Sequence, residues 1–432
     1  MSMKIFSTED KGFDKALDNI VKRGESDTSK VEAAVKAILN DIRHNGDASL
    51  LKYTERFDGV RIKQAQELRV RSKEIQKAIK KIPKKDLKIL RIAADRIERF
   101  HKKQVPESWS FVEKDGTILG QRITPIERVG IYVPGGKAAY PSTVLMNAIP
   151  AKVAGVKEIV MVTPPSKNGL NPYVLAAANV AGLDNIYQVG GAQAVGALAY
   201  GTKTISKVDK IVGPGNIYVA TAKRLVFGIV DIDMVAGPSE ILIVNDGAGE
   251  PSWIAADLLS QAEHDELASS VLLTTSKNMA VAVAKEVSKQ IKFLKRQAIA
   301  RSSTNRYGAI IITKNLNEAV EIVNRFAPEH LELFVKRPFK LLKRIKNAGA
   351  VFLGQNTPEA LGDYMAGPNH TLPTGGTARF SSPLGVEDFI KRSSVLAFSR
   401  NGLERLGRYV ARFAEVEGLE AHGKSVLVRM KQ

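Results

Sequence analysis

The chain has 432 residues, 44% hydrophobic and 25% charged, enough to bury a large core divided among two or three domains. It has no cysteine, which excludes disulfides, thiolate metal ligands and cysteine-ligated iron–sulfur clusters. Its formal charge of +19 comes with dense Lys and Arg between Arg61 and Lys103, readable as a solvated basic surface or as a nucleic-acid-binding face.

In chain order, residues 11–55 read as amphipathic helices broken near Gly24-Glu25-Ser26 and His44-Asn45-Gly46-Asp47. The start, Met1 to Phe6, lacks a signal-peptide pattern, and no apolar run is long enough to cross a membrane, so a cytoplasmic protein is expected. Helices follow around 72–103. Ile75, Ala78, Ile79, Ile82, Leu87, Leu90, Ile92, Ala93 and Ile97 suggest one buried side, and no zinc-finger spacing, RNA-binding aromatic signature or helix-turn-helix accompanies the basic residues. The solvated surface is therefore the expectation, and no nucleic-acid partner. His44 and His101 lie in charged surroundings and read as structural or exposed. Trp109 to Thr124 has strand-like pieces around Gly116 and Gly120.

From Val129 the pattern becomes strand, glycine loop and helix, repeated. Val129 to Val133 runs into Pro134-Gly135-Gly136, Glu158 to Thr163 stops at Pro164-Pro165, and Asn185 to Val189 runs into Gly190-Gly191. Lys210-Ile211-Val212 leads to Gly213-Pro214-Gly215-Asn216. A second alternating segment starts at Glu240 to Val244 and continues through Val271 to Leu273, Gly308 to Ile312, Leu331 to Val335 and Ala350 to Leu353. This order predicts α/β architecture with largely parallel sheets, and ligands near the C-terminal strand ends. The glycine loops lack the GxGxxG spacing, and there is no Walker A sequence, so they read either as a nucleotide site or as tight turns. Gly362 to Gly385 looks like a long functional loop, and Leu403 to Phe413 like a last amphipathic helix before a short tail.

Four of the six histidines stand beside acids, prolines or glycines: His264 in Ser260-Gln261-Ala262-Glu263-His264-Asp265, His330 after Pro328-Glu329, His370 after Pro368-Asn369, and His422 near Glu417 and Glu420. Helical spacing from Trp253 to Leu259 puts Gln261 and His264 on one helix face. Such a set suits a metal or acid–base site.

In their joint order, these blocks resemble the histidinol dehydrogenase family over about Phe13 to His422. Ser260 to Asp265, Phe326 to Leu331 and Ala366 to His370 carry most of the resemblance, with Tyr132 to Gly136 and Val212 to Asn216 beside them. The resemblance implies two Rossmann-like domains with an incomplete dinucleotide fingerprint and small, mainly helical terminal extensions. It groups 1–128 with 238–385 as a first α/β domain with an N-terminal helical extension, 129–237 as the NAD-associated domain, and 386–432 as a helical segment reaching a partner subunit. It implies one zinc ion per subunit held by Gln261, His264, Asp363 and His422. Ser142, Ser239, His330, His370 and Glu417 match substrate contacts, which the four zinc residues share, and Tyr132, Gln193 and Asn216 match NAD contacts.

The implied reaction is a double oxidation of L-histidinol through an aldehyde to L-histidine, the last step of histidine biosynthesis, using two NAD⁺. Glu329 would activate water and His330 would act as general base in a homodimer with shared active sites. The missing cysteine agrees with a hydrated-aldehyde route rather than a thiohemiacetal one. A same-family enzyme acting on another small amino or sulfonated alcohol is the closest alternative; a nucleic-acid-binding protein is the remote one.

Overall fold

The computed structural model describes residues 3–21, 23, 29–135 and 140–430. The break expected at Gly24-Glu25-Ser26 and the loop glycine Gly136 lie outside the described residues. The strands are β1 (Lys4–Ser7), β2 (Trp109–Val112), β3 (Ile118–Pro125), β4 (Arg128–Tyr132), β5 (Glu158–Thr163), β6 (Ile186–Gln188) and β7 (Lys210–Val212). They continue as β8 (Asp231–Ile232), β9 (Glu240–Asn245), β10 (Ser269–Thr274), β11 (Gly308–Ile312), β12 (His330–Phe334), β13 (Ala350–Leu353) and β14 (Ile390–Ala397).

Two sheets are wholly parallel, as the strand–helix alternation predicts. One runs β6-β5-β4-β7-β8; the other runs β11-β10-β9-β12-β13 and adds β1 outside β11. Taken in order of appearance, both follow the doubly wound order 3-2-1-4-5. Each is covered on both faces, which is why its central strand is an unbroken apolar run. In β9, Ile241 and Ile243 face Ile254 and Leu258 of the helix Pro251–Ala262, while Leu242 and Val244 face Ala319 and Val323 of the helix Leu316–Phe326.

The expected grouping of 1–128 with 238–385 departs from this packing. Of the described residues in 1–128, 3–21 and Arg23 join the six-stranded sheet, through β1, through Leu17 and Ile20 of the helix Phe13–Val21, and through the ion pair of Arg23 with Glu240. The helices from Ser29 to His101 cover the five-stranded sheet instead. Val35, Leu39 and Leu50 pack with Val160 and Leu198, and Ile75, Leu90 and Ile97 pack with Val129 and Ile131. Their basic residues point outward, but His101 is fully buried, with Nδ1 donating to Ile97 O at 2.8 Å. Periodicity located the apolar stripe of these helices; it carried no information on which sheet would receive it.

A third, antiparallel sheet runs β14-β3-β2. The segment 386–432 is thus not purely helical, because β14 pairs along the whole of β3 before the helices Arg400–Val416 and Glu420–Met430. The tail bearing His422 is the second of these helices. Every residue of β2 and all of β14 after Ile390 are exposed. No helix among the described residues is long and apolar enough to cross a membrane.

Candidate functional site

The main cluster lies where β9 and β12 begin. Parallel register sets His330, the first residue of β12, against Ile241 of β9, so Glu240 and Glu329 stand side by side. They exchange bonds: Glu240 N donates to Glu329 Oε2 at 2.8 Å, and Glu329 N donates to Glu240 Oε2 at 3.2 Å. The approach to this edge is strained. Ala327, the left-handed residue that ends the helix Leu316–Phe326, has φ of 52° and is the only non-glycine with positive φ among the described residues.

His330 is buried, and its ring is fixed by Nδ1 donating to Glu240 O at 3.0 Å. That bond assigns the ring proton to Nδ1 and leaves Nε2 as the lone-pair nitrogen, which has no hydrogen-bond partner. Burial lowers the His330 pKa, so the ring is neutral and able to accept a proton at Nε2. Around it lie Glu359 Oε1 at 3.8 Å, Asp363 Oδ1 at 4.0 Å, and, on the Nδ1 side, Glu329 Oε2 at 3.6 Å. Burial, then the neighbouring carboxyls of Glu240, Glu359 and Asp363, hold Glu329 well above the usual carboxylate range.

The carboxyl group of Glu359 joins His264 and Asp363 in a set whose ligand atoms lie within 4.8 Å of one another. Burial pushes Glu359 up to about 8 and Asp363 up to about 7. Glu332 and Asp257 lie behind Glu359, with Glu359 N donating to Glu332 Oε1 at 2.9 Å and Ser260 Oγ donating to Glu359 Oε2 at 3.0 Å. Six carboxyl groups thus converge here in a protein of charge +19, and among the described residues Arg23 is the only Lys or Arg paired with any of them. Oxygen donors with one imidazole, their carboxyls holding protons that a cation would displace, fit a divalent cation such as zinc.

Of the expected zinc residues, His264 and Asp363 are in the cluster. Gln261 is buried beside it, with one end of its amide 2.7 and 3.0 Å from the Glu359 carboxyl oxygens and the other 3.3 Å from Glu240 N, an arrangement that hydrogen-bonds both ends when the nitrogen is turned to Glu359. The helix ends at Ala262, so His264 lies in the closing turn rather than on the helix face expected, its N–H bonded to Gln261 O. His422, on the last helix, and Glu417, in the turn before it, are exposed and touch none of the cluster among the described residues. His370 is drawn in by Nδ1 donating to Asp363 O at 3.1 Å, and burial lowers its pKa to about 4. Its neighbour Asn369 donates to Met146 O at 2.6 Å, tying this loop to the helix Pro141–Val153, in whose first turn half-buried Ser142 sits. Ser239 immediately precedes Glu240, and its carbonyl accepts from Arg23 Nη2 and Ser269 N. Glu359, Glu240, Glu332 and Arg23 were absent from the expected set.

This edge is the N-terminal one, opposite to the edge expected for a parallel sheet. At the C-terminal ends of β9 and β12 the usual crevice is closed by Asn245, which donates to Phe334 O and Ala248 O and accepts from Thr274 Oγ1. The five-stranded sheet differs. At its N-terminal edge Arg128 bonds Glu158 and the Lys207 carbonyl, beside a cavity of about 540 Å³ lined by Glu127, Lys210, Asp231 and Asp388. Its C-terminal edge carries the three expected NAD residues. The Tyr132 hydroxyl accepts from Gly191 N at 3.0 Å, and burial pushes its pKa up to about 12. Gln193 is buried with both amide atoms unpartnered, a pair of groups left for a ligand. Asn216 caps the helix Ile217–Val226, accepting from Tyr218 N and Val219 N, so its oxygen is already engaged. Gly213, at φ of 108°, lies so close to Tyr132 O that a Cβ would collide with it. These orphaned amide atoms and the close-approach loops fit a dinucleotide.

Residues 21–430 match the family model described as histidinol dehydrogenase. The chain is 58% identical over 429 residues to histidinol dehydrogenase of Syntrophotalea carbinolica, covering 99% of each chain. It is 57% identical over 429 residues to that of Geobacter sulfurreducens, covering 99% of this chain and 100% of the relative. The crystal structure of histidinol dehydrogenase from Elizabethkingia anophelis superposes with a TM-score of 0.93 at 37% identity, covering 99% of this chain and 98% of that one.

Proposed function

The chain belongs to the histidinol dehydrogenase family, and from that premise we propose that it oxidises L-histidinol through L-histidinaldehyde to L-histidine, as a cytoplasmic homodimer. The observation that carries the chemistry is the buried, neutral His330 with its free Nε2 aimed at the carboxyl cluster beside Glu329. NAD⁺, when bound at the Tyr132–Gln193 edge within 129–237, supplies the hydride acceptor, two per substrate; zinc, when held by His264, Asp363, Gln261 and a partner's His422, supplies a fixed Lewis-acid anchor for the substrate's amine and imidazole. Glu359 borders the same set, and Gln261 would ligate through oxygen with that oxygen, rather than its nitrogen, on the Glu359 side.

The chain's own groups then handle protons. His330 Nε2 takes the hydroxyl proton as hydride leaves the carbinol carbon, and takes another from the hydrated aldehyde in the second oxidation. Glu329 removes a proton from the water that adds to the aldehyde. Its raised pKa makes it the stronger base once ionised, and a nearby cation favours the ionised form. The acidic surroundings favour a substrate carrying an ammonium group.

Support for a second subunit comes from the C-terminal arm. Tyr409, Phe413 and Val416 are 73%, 68% and 71% exposed, and Val395, Leu396 and Phe398 extend the apolar face along the third sheet. A second copy covering it would carry Glu417 and His422 to its neighbour's site.

NADH formation from a panel of amino alcohols and sulfonated alcohols tests the substrate. Selective, two-NADH turnover of L-histidinol is expected, and turnover of a different alcohol in its place would overturn the assignment. Mixing inactive His422→Ala and Glu329→Ala chains tests the arm. Activity returns after subunit exchange if one heterodimer site receives both intact residues; no return with verified heterodimer would place both residues in one chain's site.

A further inference from the structure

We propose that Arg23 and Glu240 are a positioning pair that sets the geometry of proton transfer by His330 and Glu329. Arg23 lies just beyond the helix Phe13–Val21, far from the catalytic edge in sequence, yet its side chain is 1% exposed there. A guanidinium has five N–H groups, and all five find acceptors. Nε donates to Leu267 O at 2.8 Å and Nη1 to Ile20 O at 2.8 Å. Nη2 donates to Pro238 O at 3.1 Å and Ser239 O at 3.2 Å, and Nη1 pairs with Glu240 Oε1 at 3.0 Å. An ammonium has three donors and no planar fork, so Lys would leave buried acceptors open.

What this clamp holds is Glu240, and Glu240 touches each moving part of the site. Its carbonyl accepts from His330 Nδ1, which fixes the tautomer and leaves Nε2 free. Its N–H holds Glu329 Oε2, and its own Oε2 accepts from Glu329 N. Its Oε1 also accepts from Gly375 N, in the loop that carries His370. Arg23 supplies the positive charge that lets Glu240 remain among Glu329, Glu359 and Asp363, and its bonds to Pro238 O and Ser239 O fix the backbone entering β9. With the pair loosened, His330 and Glu329 keep their identity but lose their aim. Misplacement by about 1 Å costs on the order of 10²-fold in rate.

This inference rests on the reading of His330 and Glu329 as the proton-handling groups, and the experiment keeps the two apart. Wild-type turnover of L-histidinol with NAD⁺ is measured first; its absence would remove the parent reading, and the positioning role with it. In a turning-over enzyme, Arg23→Ala is expected to lose about 10²-fold in kcat for both oxidations, with KM for NAD⁺ within about threefold of wild type. Added guanidinium chloride at millimolar concentration is expected to restore part of that kcat in Arg23→Ala and none in Glu240→Ala, which lacks the carboxylate to receive it. Arg23→Lys serves if Arg23→Ala does not fold, with a similar loss of kcat expected. Wild-type kcat in either Arg23 variant would overturn the proposal. So would a loss confined to KM for NAD⁺, or guanidinium rescue equal in the two alanine variants.

Discussion

The two parallel sheets have one strand order and opposite habits. In the five-stranded sheet the buried, unpartnered Gln193 lies toward the C-terminal edge, while Arg128 and a cavity lined by Lys210, Asp231 and Asp388 lie at the other. In the six-stranded sheet Asn245 closes the C-terminal crevice, and the acids and His330 gather where the strands begin. The topology offers a crevice at the switch point of each sheet, between the first and fourth strands in order of appearance. Side chains that bond across it decide whether the crevice remains. The fold thus permits a site at either edge, and single residues select which edge is used.

The comparison breaks most sharply at His330 and Glu329. His330→Asn is expected to slow both oxidations by about 10²- to 10⁴-fold, and Glu329→Gln to slow oxidation of supplied histidinaldehyde more than the first NADH formed from histidinol. Single-turnover NADH traces from each substrate measure this; equal slowing by Glu329→Gln would take water activation away from that residue. At the same edge, Asp363→Asn and Glu359→Gln are expected to weaken zinc retention about 10- to 100-fold, read by metal analysis after dialysis against a chelator. Full retention in Glu359→Gln would leave that carboxyl as packing alone.

The other sheet is tested through Gln193. Its amide has no partner in the free protein, so Gln193→Leu is expected to leave the melting temperature unchanged or raised while weakening NAD⁺ binding about tenfold by calorimetry. A lower melting temperature with unchanged NAD⁺ affinity would make this amide structural.

The smallest effect concerns pH. Glu359 holds its proton up to about pH 8 when folded but gives it up around the ordinary carboxyl value of 4.5 when unfolded. The folded state binds the extra proton between those values, so this contribution to stability is full below 4.5 and lost as pH rises through 8. Thermal melts of metal-free protein from pH 5.5 to 8.5 are expected to fall, and added zinc to flatten the decline. A metal-free melt independent of pH would remove Glu359 from the protonated set.

Much of this was legible in the sequence. Alternating apolar runs and glycine loops marked the strands of both sheets except the outer β1 and β8, and Pro328 marked the turn into Glu329 and His330. Glu240 was visible as an acid opening an apolar run after Gly237-Pro238-Ser239, but its importance arises from the register that sets β9 beside β12. Glu359 follows Pro358 at a helix start, a position where an acid is ordinary. Arg23 had no local signal at all, since its five acceptors come from three separate stretches of chain. Sequence periodicity reports which face of an element is buried; it is silent on which edge of a sheet is left open.

The pairing of β1 with β11 has a consequence for synthesis. Lys4 lies beside Ala309, so β1 waits for the fourth strand of its sheet in chain order. At roughly 5–20 residues per second the wait is tens of seconds, during which the segment 29–237 has all of its own sheet available. The nascent chain therefore holds every strand of the five-stranded sheet while β1 and Arg23 are still unattached, and the pairing of β14 with β3 comes later still.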